Sequence, residues 1–142
     1  MLKMCGRSPY TNMQQTFRGH LVVLVDQLTY SDGETFAAGI KALKLAPLVG
    51  KRTAGAGVWL SDRNWLADNG MLRAAEMPQF DLNGRFMVEG VGVAPDIEVE
   101  NLPYATFLGK DQQLETALDL LLQKFKEQPV VPLQAQPLPK LN

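Results

Sequence analysis

An α/β fold is what this sequence predicts, with a βαβ core and helices packed on a mixed sheet. Three observations carry that expectation. The apolar run Leu21-Val22-Val23-Leu24-Val25 is short and rich in strand formers. A helix-spaced pattern follows from about Asp32 to Leu45 and stops at Pro47. A second short apolar run, Leu48-Val49-Gly50, comes next, and strand–helix–strand at this spacing reads as a parallel crossover unit.

Residues 1–19 are polar and mixed, with a turn signal at Ser8-Pro9-Tyr10-Thr11-Asn12, and read as a loosely ordered or docked arm. His20 to Asp26 reads as a buried strand covered on both faces. In the first helix Phe36, Ile40 and Leu43 fall at i, i+4 and i+7 and are the expected core face. Gly39 suggests close packing of that helix on the sheet. Thr53-Ala54-Gly55-Ala56-Gly57 reads as a flexible loop; without the terminal Lys-Ser/Thr of a phosphate loop it gives no nucleotide site. Val58 to Leu60, Trp65 to Asp68 and Met71 to Pro78 are expected as an antiparallel meander, with turns at Asp68-Asn69-Gly70 and Asn83-Gly84. Phe86 to Val88 reads as a further short strand and Ile97-Glu98-Val99 as an extended piece. A helix over about Asp111–Lys126 carries the stripe Leu114, Ala117, Leu118, Leu121, Leu122 and Phe125, expected to be core. The segment 128–142 is Pro-rich and reads as an extended tail, leaving 20–127 as the folded body.

At 142 residues the chain is one domain by size and long enough for a core. Charged residues make up 20% and the net charge is −1, so the basic footprint of nucleic-acid binding is missing. The longest strongly apolar run is five residues, far short of a membrane span. Met1-Leu2-Lys3-Met4-Cys5 lacks the apolar centre of a signal peptide, and the compartment, cytoplasmic or exported, is left open. Cys5 is the one cysteine, which leaves no internal disulfide and no thiolate cluster for zinc. No cofactor or metal is expected.

The chemistry-bearing candidate is Ser31, at the junction of the first strand and the first helix. Free backbone N–H groups and the positive end of the helix dipole converge there. That field stabilises an alkoxide and the oxyanion formed when it attacks a carbonyl. A purely structural role also fits: Ser31-Asp32-Gly33-Glu34 is a capping box, worth about 1 kcal/mol of helix stability.

The ordered set decides between these readings. Leu21–Val25, then Ser31-Asp32-Gly33-Glu34 with Phe36, then Val49 to Thr53, then Glu89-Gly90-Val91-Gly92-Val93-Ala94-Pro95-Asp96, then Asp111, Gln113, Leu114 and Ala117 together resemble the catalytic core of the tricorn-type and tail-specific (carboxyl-terminal processing) serine proteases. The resemblance spans about residues 20–125 and implies a ClpP/crotonase-like spiral core, incomplete in this chain. Tail-specific enzymes place a base lysine 25 positions after the serine; here that position is Ala56, with Lys51 and Arg52 near but out of alignment. The Ser-Asp-Gly form and the Glu89 segment are similar to the tricorn branch, where a histidine is the base.

Carried over residue by residue, the resemblance implies that Ser31 is the nucleophile. The backbone N–H of Asp32 is then an oxyanion donor, and Glu89 belongs to the charge network that orients the base. Gly90, Gly92 and Pro95 shape the loop presenting Glu89, and Asp96 reads as a turn cap. The family's base histidine and second oxyanion donor come from an upstream segment. The single histidine here, His20, lies at the far end of the first strand and does not match the base position. The chain therefore reads as the C-terminal half of a serine endopeptidase core acting on unfolded or short peptides, with little or no activity by itself. Its expected partners are the upstream half and further copies of itself, because a missing half uncovers sheet edges and apolar surface. The alternative is a non-catalytic peptide-binding or assembly module with Ser31 as a helix cap. A crotonase-like acyl-transfer domain lacks a coenzyme signature and would leave the Glu89 spacing a coincidence.

Overall fold

The computed structural model describes residues 17–131. In chain order its elements are β1 (Val23–Val25), α1 (Asp32–Ala42), β2 (Leu48–Gly50), β3 (Trp59–Leu60), β4 (Ala75–Met77), β5 (Ile97–Glu98), α2 (Pro103–Phe107) and α3 (Gln112–Glu127). β1, β2 and β5 form a parallel sheet in that order, with Val23 opposite Leu48, Val25 opposite Gly50 and Val49 opposite Ile97. β3 and β4 form a separate antiparallel pair. The architecture is α/β, as expected, with the parallel crossover β1–α1–β2 at its centre.

The core is built by alternation along β2. Leu48 is fully buried and joins Val25, Ala37, Ile40, Val88 and Val93 under α1. Val49, one residue on, faces the opposite side, where α3 lies against β1 and β2. Asp96 locks the third strand to this centre. Its Oδ2 accepts from the Leu48 amide at 2.9 Å, its own amide donates to the Leu48 carbonyl at 2.8 Å, and its Oδ1 pairs with Lys41 Nζ at 2.9 Å. Asp96 thus ties loop, strand and helix together, a wider structural role than a turn cap.

Several local expectations are corrected by the packing. The buried face of α1 is Glu34, Ala37 and Ile40, while Phe36 and Leu43 point to solvent. The two stripes share Ile40 and differ only in rotation; the true one is led by a buried carboxylate, which an apolar pattern does not see. Gly39 meets no atom within 4 Å where a Cβ would stand, so it is not a close-packing glycine. β1 is shorter than the apolar run, and Leu24 on its α3 side is partly open.

The α3 stripe is also largely uncovered: Leu114, Leu118, Leu122 and Phe125 are each close to half exposed. The helix docks through Ala117, the stripe's one fully buried member, and through Gln113. The Gln113 side-chain amide donates to the Val99 carbonyl at 3.0 Å and its backbone amide to Asn101 Oδ1 at 3.0 Å. Those bonds set the rotation of α3 and turn Leu114, Leu118 and Leu122 outward. Asp111 caps the helix by accepting from the Leu114 amide at 2.9 Å.

The two turn signals are confirmed. Trp65 bridges Met71 around Asn69 (φ 64°), and Phe80 bridges Phe86 around Gly84. Phe86 to Val88 adds only that bridge rather than a strand. The turn expected at residues 8–12 and the tail beyond residue 131 lie outside the described residues. Among the described residues no helix is long and apolar enough to cross a membrane.

Candidate active site

The loop from β1 to α1 is fixed before Ser31 is reached. Asp26 Oδ1 accepts from the Leu28 and Thr29 amides, both at 2.9 Å, and the Ala54 amide donates to the Thr29 carbonyl at 3.0 Å. Ser31 then takes φ 55° and ψ −122° as the residue before the first turn of α1. A residue with a Cβ pays of order 1–3 kcal/mol to sit in such a region and stays there only when its surroundings hold it. Ser31 and Glu34 face each other as in a capping box, but only the Glu34 half closes as a bond, from Ser31 N–H to Glu34 Oε2 at 3.2 Å. The Glu34 amide is bonded to the Ser31 carbonyl, at 2.9 Å, and the Ser31 hydroxyl makes no cap bond. The Asp32 amide has no carbonyl partner among the described residues.

Glu34 is completely buried and fully used. One carboxylate oxygen accepts from the Thr53 hydroxyl and from the Gly55 amide at 2.7 Å. The other accepts from the Ala56 amide at 2.7 Å and from Ser31 N–H. Burial pushes this carboxyl up, and the bonds from Thr53, Ala56, Gly55 and Ser31 together outweigh it, leaving it below the ordinary 4.5. A carboxylate depressed by folding adds stability above its unfolded value and loses it as the pH falls through the folded value. The stability deficit of Glu34→Gln should therefore be full at about pH 6 and shrink toward about pH 3, read from denaturant midpoints across that range. A deficit independent of pH would count against an ionised Glu34.

Glu89 is presented by a tight turn in which the Val91 and Gly92 amides both donate to the Val88 carbonyl, at 3.1 and 2.7 Å. Gly92 is needed there: it has φ 62°, and a Cβ would stand 2.4 Å from the Thr53 carbonyl oxygen. The turn is zipped to the 53–55 segment by Thr53 N–H to the Val93 carbonyl, Val93 N–H to Thr53 Oγ1 and Gly90 N–H to the Gly55 carbonyl. From this position Glu89 Oε2 accepts from the Gly57 amide at 2.7 Å and the Val58 amide at 3.0 Å.

Ser31 and Glu89, 58 residues apart in sequence, are thus joined through one loop. The expected flexible loop 53–57 is in fact bonded throughout. The sequence reading treated Glu34 only as a capping partner and missed Thr53 and the loop amides. The signal was available in the coincidence of a Glu three residues after the serine with a Thr-Ala-Gly-Ala-Gly loop rich in bare N–H groups. His20 is elsewhere: its Nε2 lies 2.7 Å from the Gln128 carbonyl and its ring packs edge-on against Phe125, at the opposite end of β1 from Ser31. Among the described residues no group of His, Cys, Asp and Glu is arranged to hold a metal ion.

Comparison with known proteins shows the family. Peptidase family S41 matches over residues 3–99. The tricorn protease of Thermoplasma acidophilum is 33% identical over 119 residues, which cover 84% of this chain and 11% of that protein. Tricorn protease homolog 1 of Streptomyces coelicolor is 37% identical over 125 residues, 87% of this chain and 12% of that protein. A crystal structure of the tricorn protease superposes with a TM-score of 0.72 at 30% identity, covering 87% of this chain and 13% of that one. The chain therefore spans only about an eighth of the relatives it matches. Matched over more than half its length, the chain belongs to peptidase family S41, and these relatives are tricorn proteases and their homologues.

Proposed function

We propose that this chain supplies the nucleophile side of a serine endopeptidase site acting on unfolded or short peptides. Ser31 Oγ attacks the scissile carbonyl and its proton passes to a base. The Asp32 N–H donates to the oxyanion of the tetrahedral intermediate. Collapse of that intermediate expels the amine, which takes the proton, and leaves an acyl-Ser31 ester that water hydrolyses. Glu89, held by two amides, belongs to the charge network that orients the base. The base itself is supplied by a segment other than these 142 residues, because the one histidine is bonded to the Gln128 carbonyl at the wrong end of β1. The uncovered leucines of α3 favour association with that segment and with further copies of the chain.

The observation that carries this reading is the strained turn at Ser31 with its hydroxyl outside any cap bond. The test is a fluorophosphonate probe applied to the protein expressed from its full reading frame and, separately, to this chain alone. Labelling mapped to Ser31 in the full protein, with little or none in the isolated chain, is the expected pattern. A full protein that turns over unstructured peptides but never carries the label on Ser31 would overturn it. The non-catalytic alternative predicts neither labelling nor turnover in either sample.

A further inference from the structure

Four consecutive backbone amides, Gly55, Ala56, Gly57 and Val58, are divided between two carboxylates from distant parts of the chain. The first two donate to Glu34 and the last two to Glu89. Glu34 also holds the Ser31 amide, on the same oxygen that takes Ala56 N–H. Each partner is short of alternatives: Glu34 is wholly buried, and its further ligand, Thr53, is itself buried and carries the Val93 amide. A strip of N–H groups in this arrangement is an anion-binding concavity, here filled twice over by the protein itself.

We propose that Glu34 is a positioning residue that sets Glu89 against Ser31 by anchoring this four-amide strip. The inference rests on the peptidase reading above for its catalytic consequence, but its geometric content stands apart from that reading. Glu34 bonds Ser31 directly and reaches Glu89 only through the loop. Removing it should therefore disturb two amides it touches and two it does not. The chemistry of Glu34→Gln sharpens the point. Glutamine keeps the volume and one acceptor, but its NH₂ must face a pair of N–H or O–H donors where the carboxylate accepted. One side of the strip is then pushed away, and Glu89 moves with it.

The experiment uses the protein expressed from its full reading frame, as native, Glu34→Gln and Thr53→Val forms. Three quantities are read: kcat and KM on unstructured peptides, the rate of fluorophosphonate labelling at Ser31, and amide exchange in fragments covering residues 53–58. Glu34→Gln should lower kcat and the labelling rate on the order of 10²-fold, the scale of a small misplacement of reacting groups, with KM little changed. Exchange should accelerate at Gly57 and Val58 as well as at Gly55 and Ala56. Thr53→Val removes one donor to Glu34 and also the acceptor of the Val93 amide, leaving the carboxylate; it should shift all three in the same direction and free Val93 as well, and it carries the test through the Gly55 to Val58 amides if Glu34→Gln cannot be purified. Acceleration confined to Gly55 and Ala56, or native kcat in a folded variant, overturns the proposal. Spread of exchange across all four amides in a protein whose Ser31 is never labelled would leave the anchoring standing and remove the peptidase reading instead.

Discussion

Under the proposed function, Ser31→Gly should make this chain more stable and leave the assembled protein nearly without turnover. The two effects come from the same turn. At φ 55° and ψ −122° a Cβ is strained, and glycine relieves that strain by about 1 kcal/mol after its larger unfolded-state entropy is deducted. The hydroxyl removed stands in capping-box position over the Glu34 amide without closing a cap hydrogen bond, so little is lost at the helix terminus. Ser31→Ala keeps the Cβ and the strain, and its stability should lie within a few tenths of a kcal/mol of native. Both variants should lose turnover on the order of 10⁶-fold, because a nucleophile and its base act as a unit. A helix cap instead makes native the most stable of the three: alanine would cost about 1 kcal/mol and glycine a few tenths. Denaturant midpoints of the three forms, set beside peptide turnover, separate the two accounts. A Ser31→Gly form less stable than native would return Ser31 to the role of a cap.

The features legible in the sequence were those with local causes. The crossover β1–α1–β2 was visible because an apolar run, a helical period and Pro47 each act within a few residues. The turns at Asn69 and Gly84 were visible because Asn and Gly tolerate positive φ, which both adopt. Ser31 and Glu89 could be picked out by their order and spacing within a family resemblance, not by any local pattern. What stayed hidden depends on contacts far apart in the chain. The rotation of α1 is set by Glu34 reaching Thr53 and the loop amides, and a hydrophobic period assigns a charged residue to the outside. The rotation of α3 is set by Gln113 bonding Val99 and Asn101, so of the six apolar stripe residues only Ala117 is fully buried and four lie close to half exposed. In both helices a buried polar side chain with satisfied bonds overrides the apolar stripe, since breaking such bonds costs more than exposing part of a leucine. α2 has no stripe and no buried residue, and nothing in its five residues announced it except Pro103 at its start.

Two glycines should respond to alanine in opposite ways. Gly50 ends β2 with φ 134°, and a Cβ built there would stand 1.8 Å from the Val25 carbonyl oxygen. That oxygen accepts the Lys51 amide at 2.9 Å and belongs to the register that aligns β1 with β2. Neither backbone can yield: Val25 leads directly into the turn that bears Ser31, and Gly50 pairs with Glu98 on its other side. Gly50→Ala must open the central strand pair, at a cost of about 4 kcal/mol or more, a large share of the stability of any domain this size. Gly39 lies mid-helix with nothing within 4 Å of its missing Cβ. Gly39→Ala meets no clash, restricts the unfolded chain, and should add about 0.5–1 kcal/mol. Urea unfolding followed by circular dichroism should show the Gly39→Ala midpoint above native and the Gly50→Ala sample largely unfolded before denaturant is added. The double variant tests the cause, because the sites share no contact and their effects should sum. A Gly50→Ala chain with a native midpoint would mean that β1 and β2 are not held in this register, and the placement of Ser31 at the head of α1 would lose its foundation with it.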